Sequence, residues 1–150
     1  MVLTATDASG DSSTQSYTLT VANSNDAPTV ATSLTDGSIA EDSAYSLDVD
    51  GMCTDVDASD TMTYSISGAP STITISGTTI SGTPVNADVG THTITVTCTD
   101  SGQASASDDY DLTITNTNDA PTISSNAVTA VDEDAAYSYT VVATDVDSGD

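Results

Sequence analysis

Acid and amide motifs occur twice in this chain and offer oxygen ligands in sets. Thr54-Asp55-Val56-Asp57 returns as Thr144-Asp145-Val146-Asp147, and Glu41-Asp42-Ser43-Ala44-Tyr45-Ser46 returns as Glu133-Asp134-Ala135-Ala136-Tyr137-Ser138. Asn23-Ser24-Asn25-Asp26-Ala27-Pro28 returns as Asn116-Thr117-Asn118-Asp119-Ala120-Pro121, and Thr6-Asp7 anticipates Thr99-Asp100. Along an extended strand, residues two apart share a face, so each Asp-x-Asp aims two carboxylates the same way. Carboxylates and Asn amides are the hard oxygen donors that Ca²⁺ collects in sets of about six to eight. The chemistry these residues suit is capture of a hard cation.

The charge balance supports this. The chain holds 23 acids, no Lys or Arg and a single His, for a formal net charge of -23. It has nothing with which to neutralise phosphate backbones or anionic lipid, which excludes nucleic acid and acidic membranes as partners. It cannot build internal salt bridges, so its self-repulsion must be relieved by bound cations or external salt. No run reaches membrane-spanning length, so no membrane insertion is expected in this segment. Met1 is followed by no basic-then-apolar leader and opens mid-strand, which reads as a fragment or processed boundary.

The elements that must carry these acids are strands. High charge with few aromatics is also a signature of disorder, but the alternation along the chain argues against it. From Thr91 to Thr99 every odd position is Thr, while the even positions are His92, Ile94, Val96 and Cys98. That is period two, with one buried and one wet face. Tyr45/Leu47/Val49, Met62/Tyr64/Ile66, Ile73/Ile75 and Tyr110/Leu112/Ile114 alternate likewise, with Gly, Pro and Asp turns between them. No helical period is sustained. The motifs recur at an offset of 90 to 93 positions. These features predict an all-β chain of tandem immunoglobulin-like Greek-key sandwiches of about seven short strands each. Residues 1–24 read as the last strands of a preceding repeat, 25–117 as a complete repeat, and 118–150 as the first strands of a following one.

Cys53 ends the second strand of the complete repeat, and Cys98 lies near the end of the sixth. By the repeat offset Cys53 corresponds to Ala143 and Cys98 to Ala5, so both are replaced together. Paired replacement points to contact, and hence to a disulfide made in an oxidising compartment. Two buried thiols acting as small hydrophobes are the other reading.

In their order these motifs resemble the cadherin superfamily, and more closely the cadherin-like and putative-Ig repeats of large prokaryotic surface proteins. Ala40-Glu41-Asp42 resembles the early Glu motif. Thr54–Asp57 and Ala143-Thr144-Asp145-Val146-Asp147-Ser148-Gly149 resemble the Asp-x-Asp motif. Thr99-Asp100-Ser101-Gly102 resembles the Ala-x-Asp near the penultimate strand, and the Asn-Asp-Ala-Pro segments resemble the inter-repeat linker. The departures are Asn23 and Asn116 where cadherins carry Asp, Ala27 and Ala120 where they carry the second Asn, and no mid-repeat Asp-Arg-Glu. Gly82-Thr83-Pro84-Val85-Asn86-Ala87-Asp88-Val89-Gly90 stands in that place, as in the putative-Ig branch.

The resemblance implies Ca²⁺ at the joints between repeats. At the first joint it implies Asn23, Asn25 and Asp26 from above and Asp55, Asp57 and Asp100 from below. At the second it implies Glu41, Asn116, Asn118 and Asp119 from the upstream repeat, with Asn86 and Asp88 as weaker candidates, and Asp145 and Asp147 from the downstream one. Glu133 would serve a third joint. Fewer ligands than a full cadherin linker imply one or two ions per joint. Asp36, Asp108, Asp109 and Asp111 are read as solvated turn residues.

Catalysis is not expected. Asp100-Ser101-Gly102 resembles an aspartic-protease tripeptide without its partner half. Asp55-x-Asp57-x-Ser59 begins like an EF-hand loop but has Asp60 and Ile66 where that loop needs Gly and Glu. Glu41 and Glu133 hold equivalent places in separate repeats and cannot form a glycosidase pair. His92 has the inward register of its strand, and no G-x-S-x-G elbow accompanies it. Lys-Asn cross-links are excluded because there is no Lys.

The expectation is a calcium-rigidified structural extender of an extracellular adhesin or filament. Its partners would be neighbouring repeats or identical subunits end to end, together with a cell-surface or matrix ligand. Two alternatives stand beside it. One is a carbohydrate- or protein-binding sandwich of a secreted protein, for which the absence of Trp and Phe offers little. The other is a subunit of a strand-complemented filament.

Overall fold

The computed structural model describes residues 1–57 and 60–147. Ser59, Ser148 and Gly149, which belong to two of the motifs above, lie outside the described residues. The elements are β throughout, apart from one 3₁₀ turn at Asn86–Asp88. They are β1 (Val2–Thr6), β2 (Ser12–Ser16), β3 (Thr29–Val30), β4 (Gly37–Ala40), β5 (Tyr45–Asp48), β6 (Cys53–Thr54) and β7 (Thr63–Ser67). Then follow β8 (Ile73–Ser76), β9 (Thr79–Gly82), β10 (Gly90–Thr99), β11 (Ser105–Thr115), β12 (Thr122–Ile123) and β13 (Ala143–Thr144).

The central unit is a sandwich. One sheet has the order β4-β11-β10-β7, the other β5-β9-β8, and β3 pairs with β6 beside them. The alternation along β10 and β11 is realised as expected. Ile94, Val96, Cys98, Tyr110, Leu112 and Ile114 are buried, and they meet Val49, Met52, Cys53, Ile73 and Ile80 from the other side. The Tyr45 and Tyr110 hydroxyls bond at 3.0 Å, and burial together with this contact holds the Tyr110 phenol above its ordinary range. His92 is half-buried, and its Nε2 lies 2.8 Å from the Asp88 carbonyl oxygen.

Two details depart from the expected seven strands. The strand carrying the Tyr45/Leu47/Val49 alternation stops at Asp48, and β6 starts only after a turn at Val49–Met52. The Met52 amide bonds the Val49 carbonyl at 3.1 Å, and Gly51 sits at φ 73°. The repeat offset explains it: Tyr45 and Tyr137 lie 92 apart but Thr54 and Thr144 only 90, so the central unit carries two extra residues here. The second departure is β4, which pairs parallel with the last strand, β11.

Gly82 occupies the middle strand β9, where a Cβ would clash with the Thr72 carbonyl oxygen and meet Ile73 Cα at 2.9 Å. Both are backbone and cannot swing aside. Gly82→Ala is therefore expected to destabilise by about 1–3 kcal/mol through forced separation of β8 and β9. Equilibrium denaturation measures it, and an unchanged midpoint would mean that the ladder relaxes freely.

The flanking segments repeat local geometry of the central unit. Thr29↔Thr54 and Val30↔Cys53 recur as Thr122↔Thr144 and Ile123↔Ala143. The amides of Ala31 and Thr32 bond the Met52 carbonyl, as those of Ser124 and Ser125 bond that of Val142. At the other end Ala5↔Ser13 repeats Cys98↔Ala106. Asp7 Oδ1 accepts the Asp11 amide as Asp100 Oδ1 accepts that of Ala104. Among the described residues no helix is long and apolar enough to cross a membrane.

Candidate metal centre

The acids gather at the strand ends beside the two Asn-Asp segments. Asp55 and Asp57 follow β6 directly, and the Asp57 amide donates to Asp55 Oδ1 at 2.8 Å. That short bond fixes the Asp-x-Asp in a compact bend, and Asp147 N to Asp145 Oδ1 repeats it at the same distance. The preceding segment then docks on the carboxylates. Asn23 Nδ2 donates to Asp57 Oδ1 at 2.8 Å, and the Asp26 amide donates to Asp57 Oδ2 at 2.9 Å. Asn25 Nδ2 reaches Asp100 Oδ2 at 3.0 Å. Its amide lies so close to Gly102 that a Cβ there would clash with it, so glycine in the β10–β11 turn gives Asn25 its seat. The amide donors from Asp26 and then Asn23 hold the Asp57 carboxyl below its ordinary range.

The group beside Asn116–Asp119 is built alike and adds acids from the central unit. The Asp119 amide donates to Asp147 Oδ2 at 2.6 Å, the counterpart of Asp26 on Asp57. Asn86 Nδ2 lies 2.9 Å from Asp147 Oδ1 and 3.1 Å from Asn116 Oδ1. Glu41, at the end of β4, is 1% exposed, and its Oε1 accepts the Thr117 amide at 3.0 Å. Asp42 follows at φ 60°, a left-handed turn repeated by Asp134 at 65°. Burial first, then the charges of Asp147, Asp42, Glu41 and Asp145, hold the Asp119 carboxyl above its ordinary range. An open cleft of about 350 Å³ lies beside it, lined by Asn118, Asp119, Pro121, Ala143, Thr144 and Asp145.

Two carboxylate groups are close enough to share one ion, Glu41/Asp42/Asp119 and Asp55/Asp57/Asp60, each with ligand atoms within 4.8 Å of one another. Three buried carboxylate oxygens, Glu41 Oε2, Asp55 Oδ2 and Asp60 Oδ2, have no hydrogen-bond partner among the described residues. Buried carboxylate oxygens without donors are costly unless a cation meets them. The donor set therefore fits a hard divalent ion.

Of the sequence-derived candidates, Asn23, Asn25, Asp26, Asp55, Asp57 and Asp100 come together beside the first Asn-Asp segment. Glu41, Asn86, Asn116, Asp119, Asp145 and Asp147 come together at the second. Asn118 Nδ2 turns back to the Asp119 carbonyl at 2.8 Å, as Asn25 does to that of Asp26. Asp88 belongs to neither carboxylate group described above. Its Oδ2 accepts the Thr72 hydroxyl at 2.7 Å and the Val85 amide at 3.0 Å, tying down the 3₁₀ turn and lowering its own carboxyl's pKa. Glu133 is exposed in a turn of the last segment. Sequence reasoning missed Asp42 and Asp60. Asp60 recurs as Asp150 at the same offset as Asp57 and Asp147, a signal that was there to read. Asp108, Asp109 and Asp111 lie on β11 instead of in turns. Asp108 accepts the Leu34 amide and Asp36 accepts that of Asp111, bracing the β3–β4 loop.

The model of the family described as Putative Ig domain matches residues 27–115, from the buried Pro28 region to the end of β11. The chain belongs to the Putative Ig domain family. This Ig domain is similar to an endo-fucoidan hydrolase of glycoside hydrolase family 107, in two solved structures. Identity is 26% and the TM-scores are 0.49 and 0.47, covering 65% of this chain and 15% of that one. The Ig domain thus spans a small part of that enzyme's length. It is also similar to the titin domains z1z2 in complex with telethonin, at 14% identity and TM-score 0.41, over 69% of this chain and 55% of that one. Comparison with curated proteins returned no match. The Cys53–Cys98 disulfide is formed, with Cα atoms 6.6 Å apart.

Proposed function

We propose that this chain is a non-catalytic extender segment of an extracellular repeat protein, stiffened by Ca²⁺ at the joints between tandem Ig domains. The observation that carries this reading is the convergence on Asp119. Carboxylate oxygens of Glu41 and Asp42 lie within 4.8 Å of its own, the Asp147 carboxylate accepts its amide from the downstream segment at 2.6 Å, and one buried oxygen of Glu41 has no donor. A bound divalent ion would supply the positive charge that this chain, without Lys or Arg, lacks. The residues do the rest. Asn86 holds Asp147 in register and is itself bonded to Asn116, the Asp119 amide seats the linker on Asp147, and the Asp147 amide bonded to Asp145 fixes the Asp-x-Asp bend. Repulsion among the same acids loosens the linker when no ion is present. Family membership and the disulfide support an oxidising, extracellular setting, where Ca²⁺ modules bind at roughly 10⁻⁴ to 10⁻³ M.

A Ca²⁺ titration of the full chain tests this. At a hundredfold excess over Kd each site should add about 2.7 kcal/mol, seen as a melting shift of roughly 10 °C or more for a unit this size. Small-angle scattering should pass from flexible to rod-like. Asp145→Asn/Asp147→Asn should abolish the second joint's share of both signals while the chain stays folded. A titration in which neither melting nor scattering responds to Ca²⁺ would sink the reading.

A further inference from the structure

We propose that the Cys53–Cys98 bridge is a positioning element for the cation site of the first joint, setting its affinity and the seating of its linker. This rests on the cation reading above. Cys53 stands two residues before Asp55, and Cys98 two residues before Asp100. The two cysteines belong to different sheets, with β6 paired to β3 and β10 lying between β11 and β7, and no ladder joins β6 to β10. The bridge is therefore the covalent tie directly behind the acids of both strand ends.

The linker grips both ends at once. Asn23 and Asp26 hold Asp57 on the β6 side, while Asn25 holds Asp100 on the β10 side. The Ser101 hydroxyl, from the turn after β10, donates to Asp60, which belongs to the carboxylate group of Asp55 and Asp57. Any drift between β6 and β10 separates the two halves of this set, and repulsion between the carboxylates favours that drift. The disulfide meets that cost in advance. The second joint carries the control: Asp145 and Asp147 have Ala143 at the place of Cys53, so no bridge stands behind them.

The test is a Ca²⁺ titration followed by amide NMR shifts, in the native chain and in Cys53→Ala/Cys98→Ala. Amides of Asn25, Asp26 and Asp57 report the first joint, those of Asn118, Asp119 and Asp147 the second. The expected result is affinity about tenfold weaker at the first joint, the low end for losing support behind a metal ligand, with the second joint unmoved. Hydrogen exchange at the Asp26 amide should quicken in the same variant. If the double alanine fails to fold, Cys53→Val/Cys98→Ala refills the lost volume. Equal affinity at the first joint with and without the bridge would overturn the inference and leave the cation reading standing. Equal weakening at both joints would also overturn it, because a general loss of stability would then suffice. Absence of Ca²⁺-dependent shifts in the native chain would remove both.

Discussion

Loss of the Cys53–Cys98 bridge is expected to cost the central domain about 4 kcal/mol, the chain-entropy value for a loop closed across 45 residues. At this size that corresponds to a melting point lower by roughly 16–30 °C. The reason lies mainly in the unfolded chain, which gains freedom when the loop opens. A smaller part lies in the core, where Cys98 is fully buried and Cys53 nearly so. Differential scanning calorimetry of oxidised and Cys53→Ala/Cys98→Ala chains, both in excess chelator, isolates this from any cation effect. A drop of only a few degrees would mean that the unfolded ensemble already keeps β6 and β10 together, so that closing the loop releases little entropy.

Glu41→Gln is expected to move stability in opposite directions with and without cation. The Glu41 side chain is buried, with one oxygen bonded to Thr117 and the other lacking a donor beside Asp42 and Asp119. In chelator the substitution removes a buried charge from a like-charged cluster. Stability should rise by about 1–3 kcal/mol, the usual penalty of an unsatisfied buried polar group. In saturating Ca²⁺ the same change deletes a ligand charge, and about 2 kcal/mol of linked stability should be lost. Denaturation midpoints in the two buffers give both arms. A change of the same sign in both would show that Glu41 serves the fold alone.

What the sequence disclosed followed from local rules. The Thr/apolar alternation of residues 91–99 needs only the two-residue period of a strand, and Ile94, Val96 and Cys98 are all buried. The cysteine pairing was readable because the preceding copy carries Ala5 at the place of Cys98 and the following copy carries Ala143 at the place of Cys53. The docking of Asn23, Asn25 and Asp26 on Asp57 and Asp100 followed from a family likeness, since those contacts cross 31 to 75 positions. What stayed hidden was set by competition for partners. Asp88 carries a ligand's chemistry, but Thr72 and the Val85 amide take it first. Asp42 and Asp60 join the acid groups only through the turns that follow β4 and β6. The parallel pairing of β4 with β11 leaves no trace in either strand's own pattern.

That parallel pair bears on how the molecule would carry a load. Leu112–Thr115 run alongside Gly37–Ala40, and the Glu41 amide continues the ladder to the Thr115 carbonyl at 2.9 Å. Tension entering before β4 and leaving after β11 pulls two parallel neighbours lengthwise past each other. Every bond of the ladder then bears force together, where a hairpin pulled from its open end would yield rung by rung. Glu41 closes that ladder at the edge where the acids meet, so the latch against sliding sits within the carboxylate group of Glu41, Asp42 and Asp119.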